Sequence, residues 1–223
     1  MGREVPAADS SSPNARRILT AIEFLRDRTG TGGEPRAKLV LSDGSLLFVP
    51  AQAVMDLGLG ADPPVELSEA ALAGLTRQAE LLAARDKALG LLEAAPQAQA
   101  TLRLKLLRRG FGPEAIDQTA AWLEARGLLD DRRFAEGWIL TRLERHPESR
   151  GVLIAGLRRR GVSRAVAQEA VRLAVDAEAE REAARRLLDR LRRRPLPPEE
   201  LSRRLAARGF SRSLVRSLLG EAD

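Results

Sequence analysis

Cysteine is absent from the 223-residue chain, which rules out a disulfide framework, a thiolate metal site and a cysteine nucleophile. Tyrosine is also absent, and aromatic residues make up only 3% of the sequence, too few for a base-stacking platform. The single histidine, His146, stands beside Pro147 with no carboxylates clustered at ligand spacing. It reads as a loop residue rather than a general base. No apolar run approaches the roughly 20 residues that span a bilayer, so no membrane segment is expected. The opening MGREVPAADSSSPN is polar and lacks the apolar core of a secretory signal. Together with the missing cysteines, this points to a cytoplasmic protein. No enzyme-like constellation emerges, so neither a catalytic residue nor a metal or other cofactor is expected.

What the chain does have is arginine, unevenly spread. Residues 1–99 hold 10 basic and 13 acidic side chains, whereas residues 100–223 hold 27 and 18. The carboxyl-terminal region alone is basic, as expected of a segment that meets nucleic acid or an acidic partner. Only Lys38, Lys87 and Lys105 are lysines. Arginine's planar fork favours bidentate contacts with phosphate or carboxylate.

Within that basic region a single pattern occurs three times. LKLLRRGFG, LIAGLRRRGVS and LSRRLAARGFS centre on Gly110, Gly161 and Gly209, at steps of 51 and 48 residues. Aligned on the glycine, position −8 is Leu102, Leu153 and Leu201, and position −4 is Leu106, Leu157 and Leu205. Two leucines four apart share one helix face. Arg109, Arg160 and Arg208 occupy position −1, in the last turn, where the helix dipole favours a cation. Glycine then takes the left-handed position that ends a helix in a Schellman motif. The following residue (Phe111, Val162 or Phe210) packs back on Leu106, Leu157 or Leu205. A period near fifty with helical punctuation marks a tandem array whose units bury apolar faces against their neighbours.

A second helix should follow each glycine, opened by Pro113, Ser163 or Ser211. Its apolar side would carry Ala115 and Ile116, Val166, or Leu214 and Val215, then Ala170 or Leu218, then Trp122 or Leu173. Gly127 and Leu128 repeat the Schellman pattern and end the first of these helices near Arg126. Asp130 is the next N-cap, with Leu129 and Phe134 placed as a hydrophobic staple. A third helix then runs through Trp138 and Leu143 and stops before Pro147. Each unit thus reads as helix–glycine–helix–linker–helix, with the third unit cut short at Asp223.

The amino-terminal region reads differently. Residues 17–28, 37–41 and 45–49 are strand candidates, and Asp43-Gly44 between the last two is a two-residue hairpin signal. Pro50 can start a short helix that stops at Gly58, and Ser68 caps a long helix running to about Glu93. A small three-stranded sheet braced by helices is expected, acting as a folded cap on one end of the array. The fold class is therefore mainly α: tandem three-helix repeats forming an elongated array, with a small β-containing amino-terminal domain. The expected divisions are residues 1–14 as a disordered tail, 15–67 as the α+β domain and 68–95 as a connecting helix. Repeat one then spans 96–147, repeat two 148–195 and a truncated repeat three 196–223.

Several tempting motifs have plain explanations. TGTGG at 29–33 lacks the Gly-Lys-Ser/Thr ending of a phosphate loop and lies between strands. Asp130 and Asp131 open a helix, so they read as a cap and a dipole partner rather than a metal site. Trp122 and Trp138 fit apolar stripes. The arginine clusters carry more. Arg108 with Arg109, Arg158 to Arg160, and Arg203, Arg204 and Arg208 recur at equivalent places and would line one edge of the array. These residues are the candidates for contacts with phosphate or an acidic surface; Arg192 to Arg194 form a further cluster outside the repeat register.

RRGFGPEAIDQTAAWLEARGLLDDRRFAEGWILTR at 108–142, with DRRFA at 131–135 as its most specific stretch, resembles the signature of the RecX family. RRRGVSRAVAQEAV at 158–171 and LAARGFSRSLVRSLL at 205–219 are similar to that family's later repeats. The amino-terminal sheet and long helix resemble the extension of its longer members. The resemblance implies regulators of the RecA recombinase: arrays of three-helix units that bind in the groove of RecA–DNA filaments and have no known catalytic residues. Such proteins restrain RecA's ATPase, strand-exchange and coprotease activities and favour filament disassembly. On the same basis Gly127, Asp130, Asp131, Arg133 and Phe134 hold the signature turn, with Arg133 either structural or facing the filament. Weaker, salt-dependent contact with single- or double-stranded DNA is also expected. An elongated monomer is the default. The alternative is a general nucleic-acid-binding or transcription-regulating helical repeat protein.

One stretch departs from the family pattern. SRGVLIAGL at 149–157 has Gly151 and Gly156 where a basic amphipathic helix is usual. Two interior glycines cost about 1 kcal/mol each against alanine, so this helix should pack on something apolar, the helix expected over 176–193 being the candidate.

Overall fold

The computed structural model describes residues 17–25, 34–60 and 63–220. The expected tail at 1–14 and the TGTGG segment lie outside them, as does the end of the first strand candidate. The chain divides into two compact units, Met1–Lys87 and Ala88–Asp223.

In the first unit, strands β1 (Ile18–Leu25), β2 (Arg36–Leu41), β3 (Leu46–Pro50) and β4 (Val65–Glu66) form an antiparallel sheet in the order β3-β2-β1-β4. The fourth strand corrects the expected count of three. It is only two residues long, too short for any alternation to announce it, and pairs Ile18 with Glu66 and Leu19 with Val65. Strict alternation in β2 buries Ala37, Leu39 and Leu41, which pack with Leu19, Val49, Val54, Leu67 and Leu75. The β2–β3 connection is also longer than Asp43-Gly44 alone predicts. Gly44 N–H donates to the Leu41 carbonyl (2.9 Å) while Leu41 N–H donates to the Ser45 carbonyl (2.9 Å), and Gly44 sits at φ +81°. This is a type I turn closed by a left-handed glycine, the three-residue alternative to the two-residue loop. Helix α1 (Ala51–Asp56) stops before Gly58, and Ser68 Oγ accepts from Ala71 N–H to cap α2 (Glu69–Ala94).

The second unit holds α3 (Gln99–Leu107), α4 (Pro113–Ala125), α5 (Asp131–Arg145), α6 (Arg150–Arg159), α7 (Arg164–Ala174), α8 (Ala177–Arg192), α9 (Pro198–Ala207) and α10 (Arg212–Gly220). All four expected glycine turns form. Gly110, Gly127, Gly161 and Gly209 have φ between +64° and +89°. In each, the residue after the glycine donates back to the expected carbonyl: Phe111 to Leu106, Leu128 to Leu123, Val162 to Leu157, Phe210 to Leu205. Ser163 Oγ and Ser211 Oγ accept from Val166 and Leu214 N–H, and Pro113 opens α4. The six leucines at positions −8 and −4 are all buried. Among the apolar residues expected on the helices after the glycines, Leu173 is the exception, 65% exposed at the end of α7.

The grouping of helices is shifted from the one the sequence implied. The last turns of α2 pack with α3 and α4 around Ala88, Leu102, Leu106, Ile116, Ala120 and Leu123. Helices α5, α6 and α7 share a second core around Ile139, Leu153, Leu157, Ala167 and Val171. The third core joins α8, α9 and α10. The three-helix module thus begins with the long helix and ends after the capped one, and the third module is complete rather than truncated. The glycine period sets the length of a repeat but not its starting point, which packing decides. The staple pair straddles this boundary: Leu129 belongs to the first core and Phe134 packs against the second.

Candidate partner-binding surface

Successive modules meet through a joint that is built twice. At the first joint, Asp131 Oδ1 of α5 accepts from Gln99 N–H at the start of α3 (2.8 Å). Thr101 Oγ1 donates to the Arg160 carbonyl (2.7 Å), and the Gly161 turn lies so close that an added Cβ would stand 3.0 Å from Ala100 Cβ. At the second, Glu180 Oε1 of α8 accepts from Arg150 N–H at the start of α6 (2.9 Å). Ser149 N–H donates to the Arg208 carbonyl (3.1 Å), and a Cβ on Gly209 would overlap Ser149 Oγ and come within 2.5 Å of Val152 Cγ2. In both cases a carboxylate from the following module satisfies an orphan N–H at a helix start, where the dipole also favours it. The glycine turn of the following module seats on the same end.

The two adjacent aspartates of the signature therefore serve different helices. Asp130 caps its own, accepting from Arg132 N–H (2.8 Å) and Arg133 N–H (3.1 Å); Asp131 caps α3. Arg133 is committed to the turn, its guanidinium donating to the Gly127 carbonyl (2.6 Å). The glycine-rich departure is explained as well. A Cβ at Gly156 would come within 2.5 Å of Trp138 Cη2, so the missing side chain makes room for the indole. The apolar partner of α6 is thus Trp138 on α5; the helix expected at 176–193, α8, belongs to the third core instead.

Because the carboxyl-terminal turn of α6 seats on the start of α3, and that of α9 on the start of α6, these three helices follow one another head to tail. An α-helix rises 1.5 Å per residue, so about 12 Å of helix separates one arginine-bearing turn from the next. The candidate arginines divide into two kinds along this row. Those at position −1 work within the fold: Arg109 donates to the Lys105 carbonyl (2.8 Å) and Arg160 to the Gly156 carbonyl (3.0 Å). Arg160 also lies over the Trp138 ring at 4.6 Å, and Arg208 reaches Glu148 at 3.4 Å. Arg203 and Arg204 both pair with Glu200. The guanidinium groups of Arg108, Arg158 and Arg159 are exposed and bond to no other described residue. At the third module of the row, a groove of about 780 Å³ between α9 and α10 is lined by Arg192, Arg203, Arg212 and Arg216 among others.

Sequence context does not single out Glu148. It is 3% exposed and accepts two bonds from Arg142, at 2.7 and 2.9 Å. The Arg142 hydrogen bonds hold its carboxyl below the usual carboxylate range against the opposing effect of burial, helped by the charges of Arg142, Arg208 and His146. Nor does sequence context mark Thr101, Ser149 or Glu180 as joint residues. Asp131 and Glu180 stand at nearly the same distance ahead of Gly161 and Gly209, and that spacing is the one signal in the chain that pairs them.

These features define a class: a tandem three-helix repeat protein in which the middle helices of the modules form a basic row. Residues 84–123 match the first three-helix domain of RecX and residues 130–171 the second, divisions that agree with the packing of the first two cores. The chain is 42% identical over 118 residues to the regulatory protein RecX of Treponema pallidum (strain Nichols), covering 53% of this chain and 72% of that protein. It is 33% identical over 146 residues to the RecX of Chlorobaculum tepidum, covering 62% and 89%. A crystal structure of a regulatory protein RecX superposes with a TM-score of 0.67 at 21% identity, covering 90% of this chain and 97% of that one. RecX from Lactobacillus salivarius gives 0.56 at 19%, covering 64% and 96%. The chain belongs to the RecX family of regulatory proteins.

Proposed function

We propose that this protein binds in the helical groove of RecA filaments on DNA and inhibits RecA's recombinase, ATPase and coprotease activities. The observation that carries the proposal is the head-to-tail row of middle helices, with arginine guanidinium groups bonded to no other described residue at its first two turns (Arg108, then Arg158 and Arg159) and a basic groove at the third. A helical polymer presents the same acidic or phosphate groups at regular intervals, and a row of repeated modules meets them at regular intervals. Charge brings the two together quickly, while repeat geometry fixes the register. Family membership supports the same partner. No step of covalent chemistry is required: occupying the groove across several RecA protomers opposes the motions that accompany ATP turnover.

The test is RecA's DNA-dependent ATPase with this protein added below equimolar amounts. Inhibition at substoichiometric ratios is expected, together with tighter binding to RecA–DNA filaments than to bare DNA. A general nucleic-acid binder would instead bind bare DNA equally well and lose affinity steeply with salt in the absence of RecA. No effect on well-formed filaments would remove the proposal.

A further inference from the structure

Each joint between modules has two halves. One half is a glycine turn with a carboxylate ahead of it; the other is the start of the preceding module's middle helix, which supplies the donors. The helix start uses its N-cap and first helical residue: Ser149 and Arg150 donate through N–H at the second joint, and Gln99 through N–H at the first, where Thr101 adds its hydroxyl. In the third module the equivalent positions are Pro197 at the N-cap and Pro198 at the first helical residue. Proline has no N–H. Glu200 takes the place of Thr101, and its carboxylate accepts from Arg203 and Arg204 instead of donating. Every donor used at the two working joints is thus missing from the last helix start.

At the other end of the row, no described residue seats on the complementary half. The Gly110 turn has the same left-handed glycine and Schellman bonds as the Gly161 and Gly209 turns. A Cβ added at Gly110, however, would meet none of the described residues within 4 Å, whereas at the other two it would meet the helix on which the turn is seated. One chain therefore carries a turn on which no described residue is seated and, in α9, a helix start at the matching place in the repeat. With donors at that start, two copies could join through them as modules join within one copy, and the contact, being heterologous, would repeat from copy to copy.

We infer that Pro197 and Pro198 close the array: they strip the α9 start of its donors, so that the Gly110 turn of a second copy cannot seat there and the protein does not polymerise end to end. Proline at these positions does not harm α9 itself, because the first N–H groups of a helix have no partner within it.

Exchanging Pro197→Ser together with Pro198→Arg copies the Ser149-Arg150 start of α6 and restores both donors. Sedimentation equilibrium should show the unaltered protein at monomer mass throughout, and the double variant rising above it with concentration. The single change Pro198→Arg, restoring one donor, should associate more weakly. Adding Gly110→Ala to the double variant should return it to monomer, since its Cβ would meet the docking helix as one at Gly209 would meet Ser149 and Val152. Circular dichroism of each variant should match that of the unaltered protein, showing that its helices are kept. A helical double variant that stays monomeric, association that survives Gly110→Ala, or an unaltered protein that associates as strongly as the double variant would each overturn the inference.

Discussion

The buried ion pair of Glu148 shows how one side chain can tie two modules together. It lies between the end of α5, through Arg142, and the turn after α9, through Arg208. Its carboxyl titrates below the ordinary range, so the unfolded chain takes up the proton first as pH falls. The stabilisation is therefore complete above the ordinary glutamate value of about 4.3 and lost as pH drops through the lower, folded one. Glu148→Gln should lower stability by about 1–3 kcal/mol at pH 7, and the gap should narrow below about pH 4; urea unfolding at a series of pH values measures both. Glycine makes a second residue-level comparison. At Gly110, Gly161 and Gly209 an alanine meets the same positive φ, which costs about 1 kcal/mol. Only at the last two does its Cβ also meet a neighbouring helix. Gly110→Ala should be the mildest and Gly209→Ala the most severe, losing about 2–4 kcal/mol by overpacking against Ser149 and Val152.

Among the helices, local features are the legible ones. A glycine at C′, a serine or aspartate at the N-cap and leucines four apart act within a few residues of themselves, so Gly161, Ser163, Leu153 and Leu157 can be placed from sequence. Contacts across a joint cannot. Asp131 looks like part of its own helix opening, yet its carboxylate caps α3, thirty-two residues back in the chain. Gly156 looks like a weak point in α6 until Trp138 fills the space beside it. The module boundary is hidden for the same reason, because the periodic glycines fall inside the modules. The division of labour between the two aspartates can be checked directly. Asp130→Ala should speed amide exchange at Arg132 and Arg133, and Asp131→Ala at Gln99. Each should cost about 1 kcal/mol, with nearly additive effects in the double variant because the two caps share no acceptor. Exchange at Gln99 unchanged by Asp131→Ala would remove the cross-module cap.

Across the whole chain the excess of arginine overstates the surface available to a partner. Arg109, Arg133, Arg160 and Arg208 hold turns or joints, and Arg203 and Arg204 are neutralised by Glu200. On the proposed function, partner binding would rest most on Arg108, Arg158 and Arg159, whose exposed guanidinium groups bond to no other described residue. Charge reversal separates the two kinds. Arg158→Glu with Arg159→Glu breaks no described side-chain contact, so helicity should hold and the thermal midpoint should fall only by the cost of anions at a helix end, about 1 kcal/mol per charge. On the same reading, inhibition of RecA's ATPase should nevertheless fall on the order of tenfold, because two cations that would meet acidic or phosphate groups become two anions. Arg203→Glu with Arg204→Glu should behave the other way: it crowds three carboxylates onto one turn of α9, lowering stability more than inhibition. Salt gives an independent reading. Raising ionic strength should weaken the unaltered protein more steeply than the Arg158/Arg159 variant, since fewer ionic contacts remain to be screened. Equal inhibition by the two charge-reversed proteins would mean that the unpaired arginines are a solvated face, and that the filament is held by the modules' shape instead.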